Sequence, residues 1–184
     1  MPTVSGGFVL WFTGLPCSGK STLSDLLEIR LRGEGHKVEK LDGDAVRKNL
    51  SSDLGFSKKD REENIRRVAA AAALLCENGA VVLVSLVSPY RHMRQNARAQ
   101  IENFIEVHVR CPLPICEKRD TKGMYALARL GKILAFTGVS DPYEEPLDPE
   151  ITLDTDKKTA DFCVREIMAY LGQAGLAKKP AEKK

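Results

Sequence analysis

Two kinds of apolar pattern alternate along the chain. Near-continuous apolar runs at residues 8–13 and 81–87 have the length and density of buried strands, and shorter, more mixed stretches at 38–41, 104–109 and 151–154 also read as strands. Between them, residues 20–32 carry Leu23, Leu26, Leu27 and Leu31 on one helical face, and residues 60–77 carry Ile65, Val68, Ala69, Ala72, Leu75 and Cys76 at the same spacing. Helices are also predicted at 92–101, where the stretch is basic and polar, at 115–119 and at 159–171. Ser57 is placed to cap the second long helix and Gly79 to end it. Strands alternating with helices predict an α/β fold: a mostly parallel five-stranded sheet with helices on both faces. In such sheets ligands bind at the carboxyl edge of the strands. Residues 120–149, rich in Gly, Pro and charge, form a connection long enough to be functional or mobile. Residues 177–184 have no apolar content to bury and are expected to be a disordered tail behind one domain at 1–176.

Composition narrows the class. The 184 residues include 28 basic and 25 acidic ones, a net charge of +3, which is too mild to argue for nucleic acid or a membrane surface. No apolar run approaches the roughly 18 residues that span a bilayer, and no secretory signal is visible, so a cytoplasmic protein is expected. Five irregularly spaced cysteines suggest buried thiols rather than disulfides or zinc.

The chemistry starts at Gly14-Leu15-Pro16-Cys17-Ser18-Gly19-Lys20-Ser21, with Thr22 following. This is the Walker A pattern, a P-loop in which backbone amides cradle phosphate, lysine neutralises charge and a hydroxyl reaches Mg²⁺. Its position between a predicted strand and the start of a helix aims the helix N-terminus at the anion. Asp42 and Asp44 end the next strand, on the same edge of the sheet. Phosphoryl transfer needs positioning and a proton acceptor for the attacking hydroxyl. Asp44 is the candidate base, and Asp42 is expected to hold local geometry or a metal-bound water. No acidic residue interrupts the run 81–87, so the metal is expected at Ser21 and Asp44. Arg47, Arg61 and Arg91 are candidate forks for phosphate or sulfate oxygens, while Arg66 and Arg67 read as surface residues. Asn64 lies one turn beyond Arg61 on the same helix edge. Phe56 and Phe136, beside glycines and outside any periodic pattern, are placed to stack a purine or to anchor loops.

Taken together, these segments closely resemble adenylyl-sulfate kinase: the P-loop, Asp42-Gly43-Asp44-Ala45-Val46-Arg47, Gly55-Phe56-Ser57, Asp60 to Arg67, Ser88-Pro89-Tyr90-Arg91, Asp120-Thr121-Lys122-Gly123 and Phe136-Thr137-Gly138-Val139. The likeness runs in order from about Gly7 to Leu171. It implies a three-layer P-loop nucleoside-triphosphate hydrolase-like fold with a mobile lid at about 120–149. It also implies transfer of the γ-phosphoryl group of ATP, with Mg²⁺, to the 3′-hydroxyl of adenylyl sulfate. The resemblance puts Arg47, Arg61 and Asn64 on the phosphosulfate and ribose, Phe56 and Phe136 on the adenine, Val87 and Ser88 in the pocket wall, and Lys122 in the lid. Ser88 is also the position to which a phosphoserine intermediate is assigned in some accounts of the family, although direct transfer is simpler. ATP sulfurylase is the implied fusion or pathway partner, and a homodimer the implied assembly. The chain departs from the family at Ala126 and Leu127, where relatives carry lysines, and at Ala135, where they carry glycine. The competing readings are a P-loop kinase for another nucleotide or small hydroxyl acceptor, and a non-catalytic ATP-binding regulatory domain.

Overall fold

Every residue of the first strand, β1 (Phe8–Thr13), is buried, because this strand has neighbours on both sides and helices on both faces. The computed structural model describes residues 6–178. Around β1 the chain builds α1 (Lys20–Gly33), β2 (Val38–Asp42), α2 (Gly43–Asn49), α3 (Lys58–Glu77), β3 (Val81–Ser85), α4 (Arg91–Arg98), β4 (Phe104–Arg110), α5 (Leu113–Lys118), α6 (Met124–Arg129), β5 (Ile151–Asp154) and α7 (Ala160–Gln173). The strands form one sheet in the order β2-β3-β1-β4-β5, with all four pairings parallel. The fold is thus the expected three-layer α/β architecture.

Strand alternation splits β1 between two cores. Phe8, Leu10 and Phe12 pack on one side with Leu23, Leu27 and Leu31 of α1 and Val164, Ile167 and Leu171 of α7. Val9 and Trp11 face the other side, against Ile65, Val68, Ala69 and Ala72 of α3 and Met93 and Ala97 of α4. Burying a large aliphatic side chain is worth about 1.5–3 kcal/mol, so these two layers hold the sheet rigid. A third, smaller cluster of Cys111, Cys116, Tyr125, Ala128 and Phe136 anchors part of the 120–149 segment. None of the five cysteines is in a disulfide, and four are buried.

The structure differs from the sequence reading in several places. The run 81–87 leaves the sheet at Ser85. Leu86 N still donates to Phe12 O at 3.2 Å, but the chain then turns through Ser88, whose φ is 40°. The helix expected at 92–101 stops at Arg98, and the stretch read as wholly irregular contains α6. Asp120 accepts from the amides of Met124 (2.8 Å) and Ala126 (3.1 Å), capping α6 from outside its own boundary. Of the expected tail, residues 179–184 lie outside the described residues. Ala177 N donates to Leu171 O at 3.3 Å and Lys178 N to Glu34 Oε2 at 3.2 Å, so the tail's first two residues are tied to the body. Among the described residues, no helix is long and apolar enough to cross a membrane.

Candidate active site

The P-loop joins β1 to α1 in a conformation its residue types dictate. Gly14 has φ 153° and Gly19 φ 106°, both in the region that side chains avoid, and a Cβ on Gly14 would collide with the carbonyl oxygen of Val109. Cys17, at φ 60°, adopts a strained conformation of the kind that clusters at ligand clamps. The loop is held from outside by Tyr125, whose hydroxyl donates to Pro16 O at 2.9 Å, and by Thr155, whose hydroxyl donates to Ser18 O at 2.7 Å. Pro16, Cys17, Gly19, Lys20, Ser21 and Thr22 face a large cleft, while Gly14, Leu15 and Ser18 form the loop's inner turn.

Lys20 is buried and donates to Gly14 O at 2.9 Å and Leu15 O at 2.7 Å. Burial pulls its amine down to about 8. An ammonium this desolvated, with only neutral carbonyl and hydroxyl partners, gains strongly from an arriving polyphosphate.

Beside it, the Ser21 hydroxyl donates to Asp42 Oδ2 at 2.7 Å. Asp42 Oδ1 in turn accepts from Asp44 N at 3.1 Å, which starts α2. Asp42, rather than Asp44, is the carboxylate that meets Ser21. A hydroxyl and a carboxylate are the hard oxygen donors Mg²⁺ takes, and Mg²⁺ is commonly held by one or two such groups with substrate phosphates. Among the described residues there is no group of three or more His, Cys, Asp or Glu placed to hold a metal ion. Asp44 reaches instead across the cleft to an ion pair with Lys122 of the 120–149 segment.

The far end of the cleft is built by two arginines. Arg47 donates to Gly55 O at 2.5 Å, and its guanidinium lies 4.8 Å from the centre of the Phe56 ring. Burial, and then the neighbouring charge of Arg61, lower its pKa. Arg61 donates to Phe56 O (2.9 Å), to Thr137 Oγ1 (2.8 Å) and to Ala135 O, so one side chain ties the 54–57 loop to the arm at 135–137. Asn64 is 4 % exposed, faces the cleft and has no hydrogen-bond partner for its Oδ1 among the described residues. Buried amide oxygens are seldom left so, and this one is placed for a ligand donor. Phe56 is 64 % exposed, with Arg47 over one face. Phe136 is buried and meets Tyr125 edge-on at 5.0 Å. Val87 and Ser88 line the wall between these groups and the P-loop.

The cleft measures about 1290 Å³ and brings together every singled-out residue outside the P-loop except Arg91. Arg91 turns away: its Nε donates to Glu145 O at 2.7 Å and its backbone N to Glu144 Oε2 at 2.8 Å. Arg66 and Arg67 are paired with Glu63 and Asp53 on the surface, as expected. Ser88 is 2 % exposed, and its Oγ accepts from the Trp11 indole at 3.1 Å. No base touches it. The sequence reading missed Arg119, Thr155, Lys158, Thr159 and Ala160, which line the cleft beyond Gly19. Arg119 donates to Thr155 O at 2.7 Å. Their signal was topological, since Thr155 follows β5 at the carboxyl edge, but a long stretch of sequence separates them from the P-loop.

Comparison with known proteins agrees with this geometry. The family model described as adenylylsulphate kinase matches residues 6–154. The adenylyl-sulfate kinase of Rippkaea orientalis is 51 % identical over 174 residues, covering 95 % of this chain and 96 % of its own length. The probable bifunctional SAT/APS kinase 2 of Sorangium cellulosum is 48 % identical over 92 % of this chain, which spans 29 % of that protein. The solved structure of the Mycobacterium tuberculosis APS kinase CysC in complex with AMPPNP and APS superimposes with a TM-score of 0.87 at 43 % identity, over 90 % of this chain and 98 % of that one. With its P-loop, its paired aspartates and a match to the family model over residues 6–154, the chain belongs to the adenylylsulphate kinase family.

Proposed function

We infer that this cleft transfers the γ-phosphoryl group of ATP to the ribose 3′-hydroxyl of adenylyl sulfate, giving 3′-phosphoadenylyl sulfate and ADP. The observation that carries the reading is one continuous cleft with the P-loop at one end, an Arg47-Phe56-Arg61-Asn64 pocket at the other, and Asp44 between them. Its volume exceeds the roughly 300–1,000 Å³ of a single small-molecule site. The similar Mycobacterium tuberculosis structure, which holds AMPPNP and APS, supports the same pair of ligands here.

ATP lies with its phosphates on the P-loop amides and Lys20, and with its base towards Arg119, Thr155 and Ala160. Ser21 and Asp42 would hold Mg²⁺, which would supply charge neutralisation at the transferred phosphate. Adenylyl sulfate occupies the other end: Arg47 and Arg61 face its anionic groups, Asn64 accepts from its ribose, and its adenine lies between Phe136 and the free face of Phe56. Asp44 takes the 3′-hydroxyl proton as that oxygen attacks the γ-phosphorus and ADP leaves. Lys122 meanwhile shifts from Asp44 to the phosphates. Ser88 is pocket wall: a buried hydroxyl bonded to Trp11, with no base in contact, is poorly placed to act as a nucleophile.

The test is ADP release from Mg-ATP with and without adenylyl sulfate, with the product identified by mass. Release stimulated by adenylyl sulfate, with one phosphate added to it, is expected. ATP binding without stimulation would overturn the acceptor assignment. A cytoplasmic location fits the five free thiols. The homodimer implied by the family resemblance is tested by light scattering, where a mass of twice 20.3 kDa supports it and 20.3 kDa overturns it.

A further inference from the structure

Arg94 lies on α4, is 2 % exposed and does not face the cleft. Its guanidinium nevertheless holds three acceptors at once. Nε donates to Glu106 Oε1, Nη1 to the Ser88 carbonyl and Nη2 to the Glu144 carbonyl, each at 2.6 Å. Glu106, on β4, is itself 7 % exposed, so the buried positive charge has its counter-charge.

The two carbonyls belong to opposite parts of the site. Ser88 is cleft wall, and its φ of 40° is a conformation that a side chain keeps only where its surroundings hold it. Trp11 holds the side chain of Ser88 and Arg94 its carbonyl. Glu144 roots the arm whose earlier residues Phe136 and Thr137 face the cleft. That arm is further fastened by Glu144 N to Pro89 O at 2.8 Å, by Tyr90 OH to Asp141 Oδ1 at 2.8 Å, and by the Tyr143 and Thr13 hydroxyls at 3.0 Å. These bonds all run between the arm and the strand ends that carry the wall. Among the described residues, Arg94 alone bonds both the strained residue and the arm.

We propose that Arg94 is a positioning residue: by gripping the Ser88 and Glu144 carbonyls with one planar fork, it sets the separation of the Val87–Ser88 wall from the Phe136–Thr137 wall. The substrate affected is adenylyl sulfate, so this rests on the acceptor assignment above. The ATP end, at Gly19, Arg119 and Thr155, has no bond to this network. A lysine cannot replace the fork, because a single ammonium lacks the fixed divergent donors.

Removing Arg94 alone strands the buried Glu106 carboxylate and is expected to destabilise the whole chain. The informative variant is therefore Arg94→Met/Glu106→Leu, which deletes both charges and leaves Arg98 paired with Glu150. Buried pairs replaced by packed apolar side chains commonly retain stability. In this variant the KM for adenylyl sulfate rises about tenfold, the worth of roughly one charged hydrogen bond, while kcat and the KM for ATP stay within about threefold. Amide exchange at residues 136–144 of the free protein quickens about tenfold, with exchange in β1 and β4 unchanged. Unchanged exchange in that arm, or an equal rise in both KM values, would overturn the proposal. Failure of the wild-type chain to turn over adenylyl sulfate would instead overturn the acceptor assignment, and the exchange comparison would still decide the role of Arg94.

Discussion

Asp42 and Asp44 are two residues apart and do different work, and the difference follows from where their oxygens go. Asp42 is committed to the Ser21 hydroxyl and to the first turn of α2, whereas Asp44 touches only a movable lysine across the cleft. Asp44→Asn should therefore leave ATP affinity unaltered and lower the rate of transfer by about two to four orders of magnitude, the usual worth of a general base. Single-turnover kinetics with saturating nucleotides would show it, and near-normal transfer would remove Asp44 from the role. Ser88→Ala deletes a bond to Trp11 and no chemistry, so turnover should fall by less than about tenfold, since one neutral hydrogen bond is worth about 1 kcal/mol. A loss beyond about a thousandfold would restore the phosphoserine reading. Ala135 sits at φ 52°, where a β-carbon costs about 1–2 kcal/mol. Ala135→Gly should raise the melting temperature by about 2–4 °C, after allowing for the greater freedom of glycine in the unfolded chain.

At the scale of elements, α3 carries the acceptor pocket, because its first turns present Arg61 and Asn64 to the cleft. Ser57 caps this helix by accepting from Asp60 N at 3.1 Å. Ser57→Ala should cost about 1 kcal/mol of stability and weaken binding of adenylyl sulfate more than of ATP, measured by denaturant titration and by isothermal titration of each nucleotide. The strands and long helices were legible in the sequence because burial on both faces, or on one helical stripe, leaves a periodic trace. So was the phosphate end of the site, whose eight P-loop residues are contiguous. What escaped was set by tertiary contacts. Arg91 resembles a cleft arginine in sequence, but its guanidinium is held by the Glu145 carbonyl, outside the cleft. Helix α6 has one turn and a half, too short for a period to declare itself. Ala126 and Leu127, where the family resemblance implies lysines, do not face the cleft. Restoring lysine at both should change ATP affinity by less than about threefold in physiological salt, where exposed charges are screened within about 8 Å.

At the scale of the molecule, the fold supplies a rigid sheet whose carboxyl edge holds two anionic nucleotides without a strongly basic surface. The net charge of +3 is small, so the positive groups that matter are concentrated in the cleft, at Lys20, Arg47, Arg61, Arg119 and Lys122. Two cores fasten the sheet, and a bonded arm closes one side of the acceptor pocket. On the proposed reading, Asp44 lies between donor and acceptor, and the protein supplies no nucleophile of its own. Whether the phosphoryl group moves in a single direct transfer is decided by the stereochemistry at phosphorus. With ATP carrying a chiral, isotopically labelled γ-thiophosphate, direct transfer predicts inversion of configuration in the product. Retention would show two successive displacements through a phosphorylated residue, and would contradict the account.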